Sequence, residues 1–265
     1  MESEPDGLGR EVLYEVVASH IAVVTLNRPE ARNAVNAAIA QAVDYLVRKI
    51  EQDDAIRVAV LASSNDRAFS AGADLNEISK GRAHLLATEE GGLAGFVHAP
   101  RVKPWIAAVR GRALGGGCEL ALACDMIVAC DTAEFGLPEV KRGLYAGAGG
   151  AYRLPRLLPS NIAFELIATG NSLEASRALA LGLVNRVVPS DQVLKSAIEL
   201  AQSIAANAPL AVRQSLRVAR RSAEREDADL RAFSDREGTV VYESEDAKEG
   251  PRAFLEKRAP KWVGR

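Results

Sequence analysis

Trp105-Ile106-Ala107-Ala108-Val109 and, shortly after it, Leu114-Gly115-Gly116-Gly117-Cys118-Glu119-Leu120-Ala121-Leu122-Ala123 decide the fold. The first run has the length and composition of a strand, and the second is a glycine turn that opens an apolar helix. The glycines remove every Cβ at that helix N-terminus, so backbone N–H groups stand open to a ligand and the helix dipole favours negative charge there. Working outward, residues 21–26, 58–62, 126–129 and 184–188 are further strand candidates. They alternate with helical patterns between Glu11 and Val188, the signature of strand–helix–strand units on a mostly parallel sheet, and hence of an α/β fold. Asn36 can cap a helix whose Ile39, Val43, Leu46 and Ile50 form a core-facing stripe. Segment 81–101, with Gly91, Gly92, Gly95 and Pro100, is expected to be a mobile helix–loop region. After Pro189, residues 190–206, 209–221 and 244–258 have polar starts and no strand between them. An α/β core over 1–189 and a helical region over 190–265 are therefore expected.

Composition excludes several classes of function. A chain of 265 residues that is 48% hydrophobic buries enough surface to fold without covalent staples. Cys118, Cys124 and Cys130 are odd in number and lack a C-x-x-C pair, so they fit small core residues better than disulfides or zinc ligands. A net charge of −2 supplies no field for nucleic acid or anionic lipid, so any anionic ligand must be held by a local arrangement. No apolar run approaches the ~18 residues of a membrane span. The acidic opening, Met1 to Gly7, resembles neither a secretory signal nor an organelle presequence, and a cytoplasmic location is expected. Gly147-Ala148-Gly149-Gly150-Ala151-Tyr152 has Tyr where a dinucleotide fingerprint needs its third glycine, and no G-K-[ST] occurs. The signatures of serine acyl hydrolases are also missing, and His20, His84 and His98 are isolated, so no metal site is expected. Arg213, Arg217, Arg220 and Arg221 form a basic helix face, expected to be solvated and paired with Glu224 or Asp227.

Three glycine-centred features remain. Phe69-Ser70-Ala71-Gly72-Ala73-Asp74-Leu75 follows the 58–62 strand and fits a tight turn into a helix capped by Asp74. Glu119 lies in the glycine-box helix amid apolar residues, where an ionised carboxylate is rarely buried without a partner; either it complements the dipole of the first turn or it has a function. Phe135-Gly136-Leu137-Pro138-Glu139 supplies a second carboxylate, which by itself fits a surface or capping acid equally well.

With these features in order, the sequence resembles the crotonase superfamily, whose best-known members are enoyl-CoA hydratases. The likeness starts at Leu26-Asn27-Arg28-Pro29-Glu30-Ala31-Arg32-Asn33-Ala34. It runs through the three features and closes at Glu249-Gly250-Pro251-Arg252-Ala253-Phe254-Leu255-Glu256-Lys257-Arg258. The resemblance implies a spiral of ββα units with a helical C-terminal trimerisation region, assembled as trimers or hexamers. It implies an oxyanion hole made by the N–H groups of Ala73 and Gly116. It also implies two catalytic acids, Glu119 activating water and Glu139 delivering a proton to C2. Coenzyme A, as part of the substrate and with no separate cofactor, would lie near Arg28, Ala31, Ala71, Asp74 and Leu75, with Phe254 and Lys257 reaching in from a neighbouring helix or subunit. Keeping both glutamates favours a hydratase or dehydratase over an isomerase that works one glutamate, or over a non-catalytic acyl-CoA-binding relative. The 244–265 tail and the Phe135–Glu139 stretch are similar to the carnitinyl-CoA dehydratase branch. Ala146 and Arg110 depart from residues common in the family, Pro and Asn, and leave the acyl pocket open.

Overall fold

The computed structural model describes residues 9–222 and 227–265, apart from the side chains of 227–232, 234 and 254. The acidic opening stretch and the expected partners Glu224 and Asp227 fall outside that description. Six strands form the main sheet in the order Val12–Val16, Ile21–Leu26, Val58–Ser63, Trp105–Val109, Met126–Cys130, Arg186–Val188. Only the first pair is antiparallel. The five strand candidates are thus the five parallel strands, because strands covered on both faces are apolar throughout and stand out as runs.

A second sheet, absent from the sequence reading, is built from three-residue strands in the order Ser172–Glu174, Glu134–Gly136, Arg112–Leu114, Ala68–Ser70. Its last three members each follow a long parallel strand directly. Each also leads into a helical turn: Leu75–Ser79, Gly116–Ala123 and the 3-10 turn Pro138–Arg142. This repetition makes the ββα spiral, and it lines up the three glycine-centred features along one edge.

The helix Ala37–Gln52 forms where the apolar stripe required. Asn36 accepts the Ile39 N–H at 3.0 Å, a cap worth about 1 kcal/mol, and Ile39, Val43, Leu46 and Ile50 are fully buried. Its C-terminal carbonyls, Ile50 and Asp53, are capped by the buried Lys103 ammonium at 2.5 and 2.6 Å. Segment 81–101 contains the 3-10 turn Ala83–Leu86 and a hairpin, Ala87–Thr88 with Gly92–Leu93, and buries Leu86, Ala94, Phe96 and Val97 against the core. Its glycines are there for close approach and not for looseness.

The helices Val193–Ala205, Pro209–Arg221, Asp227–Tyr242 and Glu245–Leu255 make up the C-terminal region. The first buries Val193, Ala197, Ala201 and Ala205 on the main sheet, so the helical region shares a helix with the core layer. The arginine face is not simply solvated. Arg220 donates Nε and Nη2 to Asp125 at 2.7 and 2.8 Å, Nη2 also to the Lys103 carbonyl and Nη1 to the Arg101 carbonyl, strapping its helix to the core. Arg217 pairs with Glu237 at 2.9 Å.

Asn33 locks the first glycine-centred turn to the sheet. At φ 53° it holds a left-handed backbone that asparagine tolerates better than most residues. Its Nδ2 donates to Ser63 Oγ at 2.9 Å and to the Phe69 carbonyl at 3.1 Å, and its Oδ1 accepts the Arg28 N–H at 2.8 Å. Asn33→Ala strands these buried groups and is expected to cost about 3 kcal/mol, read as a lower denaturant midpoint at unchanged slope. A loss below about 0.5 kcal/mol would remove Asn33 from this role.

Candidate active site

Two parallel neighbours in the small sheet, Ala68–Ser70 and Arg112–Leu114, end side by side, so the turns that follow them touch. Gly72 has φ +83°, and a Cβ on it would lie 2.4 Å from the Gly116 nitrogen. Only glycine permits that approach. The Ala73 nitrogen is close to Gly116 from the same side, 3.3 Å from where a Cβ on Gly116 would stand. Among the described residues neither the Ala73 nor the Gly116 N–H donates to an acceptor. Two open main-chain donors therefore meet at the start of an apolar helix.

The Asn27–Val35 segment holds the first of these turns. Val35 N–H donates to the Gly72 carbonyl at 2.7 Å, and Asp74 N–H donates back to the Val35 carbonyl at 3.0 Å. Asp74 caps the helix Leu75–Ser79 by accepting the Asn76 N–H, and its other oxygen takes Arg28 Nη1 at 2.6 Å. The guanidinium holds the Asp74 carboxyl below the usual carboxylate range. Arg28 also donates to the Ala34 carbonyl. Both expected ligand contacts, Arg28 and Asp74, are thus engaged inside the chain as a clamp on the turn.

Glu119 lies one helical turn past Gly115, whose carbonyl accepts its N–H, and only 3% of the residue is exposed. Its Oε1 accepts the Gly150 N–H at 2.8 Å. Burial pushes its carboxyl up to about 7 and the charge of Glu139 adds to this, while the amides of Gly150 and Ala148 and the Arg153 guanidinium pull it back. Glu139 stands on the 3-10 turn Pro138–Arg142, fixed against the glycine box because Gly115 N–H donates to the Gly136 carbonyl at 2.9 Å. Its Oε1 lies 3.4 Å from where a Cβ on Gly115 would be, and its Oε2 is buried without a hydrogen-bond partner among the described residues. Burial raises this carboxyl as well. The structure therefore brings both acids and both amides to one helix N-terminus. That set can polarise a carbonyl while moving protons on adjacent carbons.

Beside the two amides a cavity of about 530 Å³ is lined by Ala71 and Leu114 and by the cations Arg32, Arg67 and Arg112. The sequence reading missed these arginines, since single exposed arginines carry no pattern; their only signal is their place flanking the glycine-centred turns. Ala31 ends the 3-10 turn Pro29–Ala31, and Leu75 is exposed at the first position of its helix. Lys257 stands exposed after the last helix and does not line the cavity; Phe254 lies in that helix, Glu245–Leu255. Among the described residues no group of three or more His, Cys, Asp or Glu could hold a metal ion.

A family model described as enoyl-CoA hydratase/isomerase matches residues 17–265. A carnitinyl-CoA dehydratase of Salmonella typhi is 42% identical over 247 residues, covering 91% of this chain and 94% of its own. A crystal structure of an enoyl-CoA hydratase from Mycobacterium tuberculosis H37Rv superposes with a TM-score of 0.93 at 44% identity, covering 97% of this chain and 100% of that one. A carnitinyl-CoA hydratase from Mycobacterium avium gives a TM-score of 0.77 at 46% identity over the same shares.

Proposed function

Since the chain belongs to the enoyl-CoA hydratase/isomerase family, we propose that it is a hydro-lyase that reversibly adds water across the C2–C3 double bond of a 2-enoyl-CoA thioester. The reading covers both enoyl-CoA hydration and dehydration of the carnitinyl-CoA type, the activities named for its relatives. The observation that carries it is the buried Glu119 and half-buried Glu139 beside two amides that are unengaged among the described residues. In the forward step ionised Glu119 takes a proton from water while the water oxygen bonds to C3. The π electrons move toward the thioester oxygen, and the N–H groups of Ala73 and Gly116 hold the resulting negative charge. Protonated Glu139 then returns a proton to C2. Water is consumed whole, and the two acids exchange protonation states, which the reverse reaction or solvent restores. One donor of this kind is worth ~2.7–4 kcal/mol in an acyl-transfer site, and a positioned acid or base contributes ~10²–10⁴-fold. Hydratases of this family use no cofactor beyond the coenzyme A of the substrate.

The cavity beside Ala71 is the place for the coenzyme A end. Its three guanidiniums stand against the carboxylates of Asp66 and Glu134, the latter 3.3 Å from Arg112, and the one positive charge in excess supports phosphate binding there in a chain of net charge −2. Ala31, Leu75 and the Ala71 carbonyl border the same route. Phe254 and Lys257 would complete it from a neighbouring subunit of a trimer or hexamer. The exposed Val240, Tyr242 and Leu255 of the helical region support such self-association. In this reading residues 1–189 carry the site and 190–265 the assembly. A cytoplasmic location goes with it; among the described residues no helix is long and apolar enough to cross a membrane.

The test is a panel of 2-enoyl-CoA esters, followed by loss of the conjugated thioester absorbance from pH 5 to 9. Glu119 must be ionised and Glu139 protonated, so kcat/KM should be bell-shaped. Activity should be lost on the acid side as Glu119, whose carboxyl burial raises, takes up a proton. A chain that binds these esters without consuming the conjugated bond, or that only shifts the bond along the acyl chain, would overturn the proposal.

A further inference from the structure

Glu119 is held by a loop, and the loop is held by one side chain. Residues Ala146–Gly150 turn sharply before the helix Gly150–Leu157, with Gly149 at φ +117°. A Cβ on Gly149 would sit 2.0 Å from Arg153 Nη1, so the guanidinium fills the space a side chain there would need. The same Nη1 donates to the Ala148 carbonyl at 3.1 Å, and Nη2 donates to the Val97 carbonyl at 2.5 Å. Val97 is buried in the core-packed segment after the 87–93 hairpin. Arg153 thus ties the loop to a fixed point, and two residues past the Ala148 carbonyl the Gly150 amide meets Glu119 Oε1 at 2.8 Å.

We propose that Arg153 is a positioning residue for Glu119: its fork fixes the Ala148–Gly150 loop so that the Gly150 amide orients the carboxylate toward water. This rests on the hydratase reading above. The charged and titratable groups around the pair come from every neighbouring element. Glu139 faces Glu119 from the 3-10 turn, and the Cys118 thiol adjoins it on its own helix. His98 faces Arg153 from the hairpin segment and shares a 3.2 Å contact with the Tyr152 hydroxyl. Arg156 stacks over the Tyr152 ring from the same helix as Arg153. Of these, Arg153 is the cation that favours ionised Glu119, and Glu139 opposes it.

The sign follows. Removing the guanidinium leaves Glu119 more easily protonated, so the acid limb of kcat/KM moves to higher pH. Arg153→Met is expected to lower kcat by about 10²-fold, with KM nearly unchanged, because a misplaced base slows chemistry more than binding. Its acid limb should move to higher pH. Arg153→Lys keeps the charge but replaces the planar two-nitrogen fork with a single ammonium on a shorter reach, so its limb should stay in place while kcat still falls. The measurement is the pH profile of enoyl-CoA hydration for the wild type and both variants, with thermal unfolding of each. A Met variant that folds and keeps the wild-type limb would overturn the proposal. If the Met variant does not fold, the Lys variant decides: lowered kcat with the limb in place supports it, and wild-type kcat overturns it. A wild type that hydrates no ester sinks the underlying reading instead, and that failure appears in the unmodified chain.

Discussion

Glu119→Gln should lower kcat for hydration by about 10²–10⁴-fold, the span associated with losing one positioned acid or base, and Glu139→Gln should do the same. Glutamine is close to isosteric with glutamate and can still accept the Gly150 N–H, so binding and folding should survive and the loss should appear in kcat. The double variant should be little worse than either single one, because one missing proton transfer already blocks the reaction and effects within such a unit do not add. The substitution also removes a carboxyl raised to about 7 by burial, so the acid limb of any residual activity should vanish. A chain whose main turnover persists in both single variants would be doing chemistry that needs at most one of these acids.

The second large effect concerns backbone. Gly72→Ala would place a methyl group 2.4 Å from the Gly116 nitrogen, a separation real Cβ atoms do not adopt, and it would do so at φ +83°. The two turns must part, and with them the amides of Ala73 and Gly116. Loss of one such donor costs ~10²–10³ in kcat in a comparable site, and here both move, so kcat should fall by at least that much. Gly81→Ala is the control. Gly81 has a similar φ of +73°, but nothing lies within 4 Å of a Cβ built on it. It shares the left-handed penalty of about 1–2 kcal/mol and should keep its turnover. Equal kcat losses in the two variants, after correction for folded fraction, would show that backbone strain and not the meeting of the turns governs the rate.

The parts of the molecule legible in the sequence follow from length and periodicity. Val58–Ser63 and Trp105–Val109 were readable because strands covered on both faces are apolar throughout, and Ala37–Gln52 because one cap and one stripe sufficed. Ala68–Ser70, Arg112–Leu114 and Glu134–Gly136 were not, since three residues cannot display a period. Yet these short strands set the turns beside one another, so the meeting of Gly72 with Gly116 was reached through resemblance alone. Arg28 shows the opposite limit. Its motif marked it out, but nothing in the chain order revealed that Asp74, 46 residues on, would take its charge. Arg153 carried no signal because its partners are carbonyl oxygens, which every residue possesses.

In the proposed mechanism the developing anion is held by peptide groups alone. These have no ionisation of their own across the working pH range and no side chain that a point substitution could delete. Altered acids around them would change which protons travel, while the grip on the thioester persisted. Selection could therefore retool this enzyme by exchanging a handful of residues at the rim, provided the contact between residues 72 and 116 was kept.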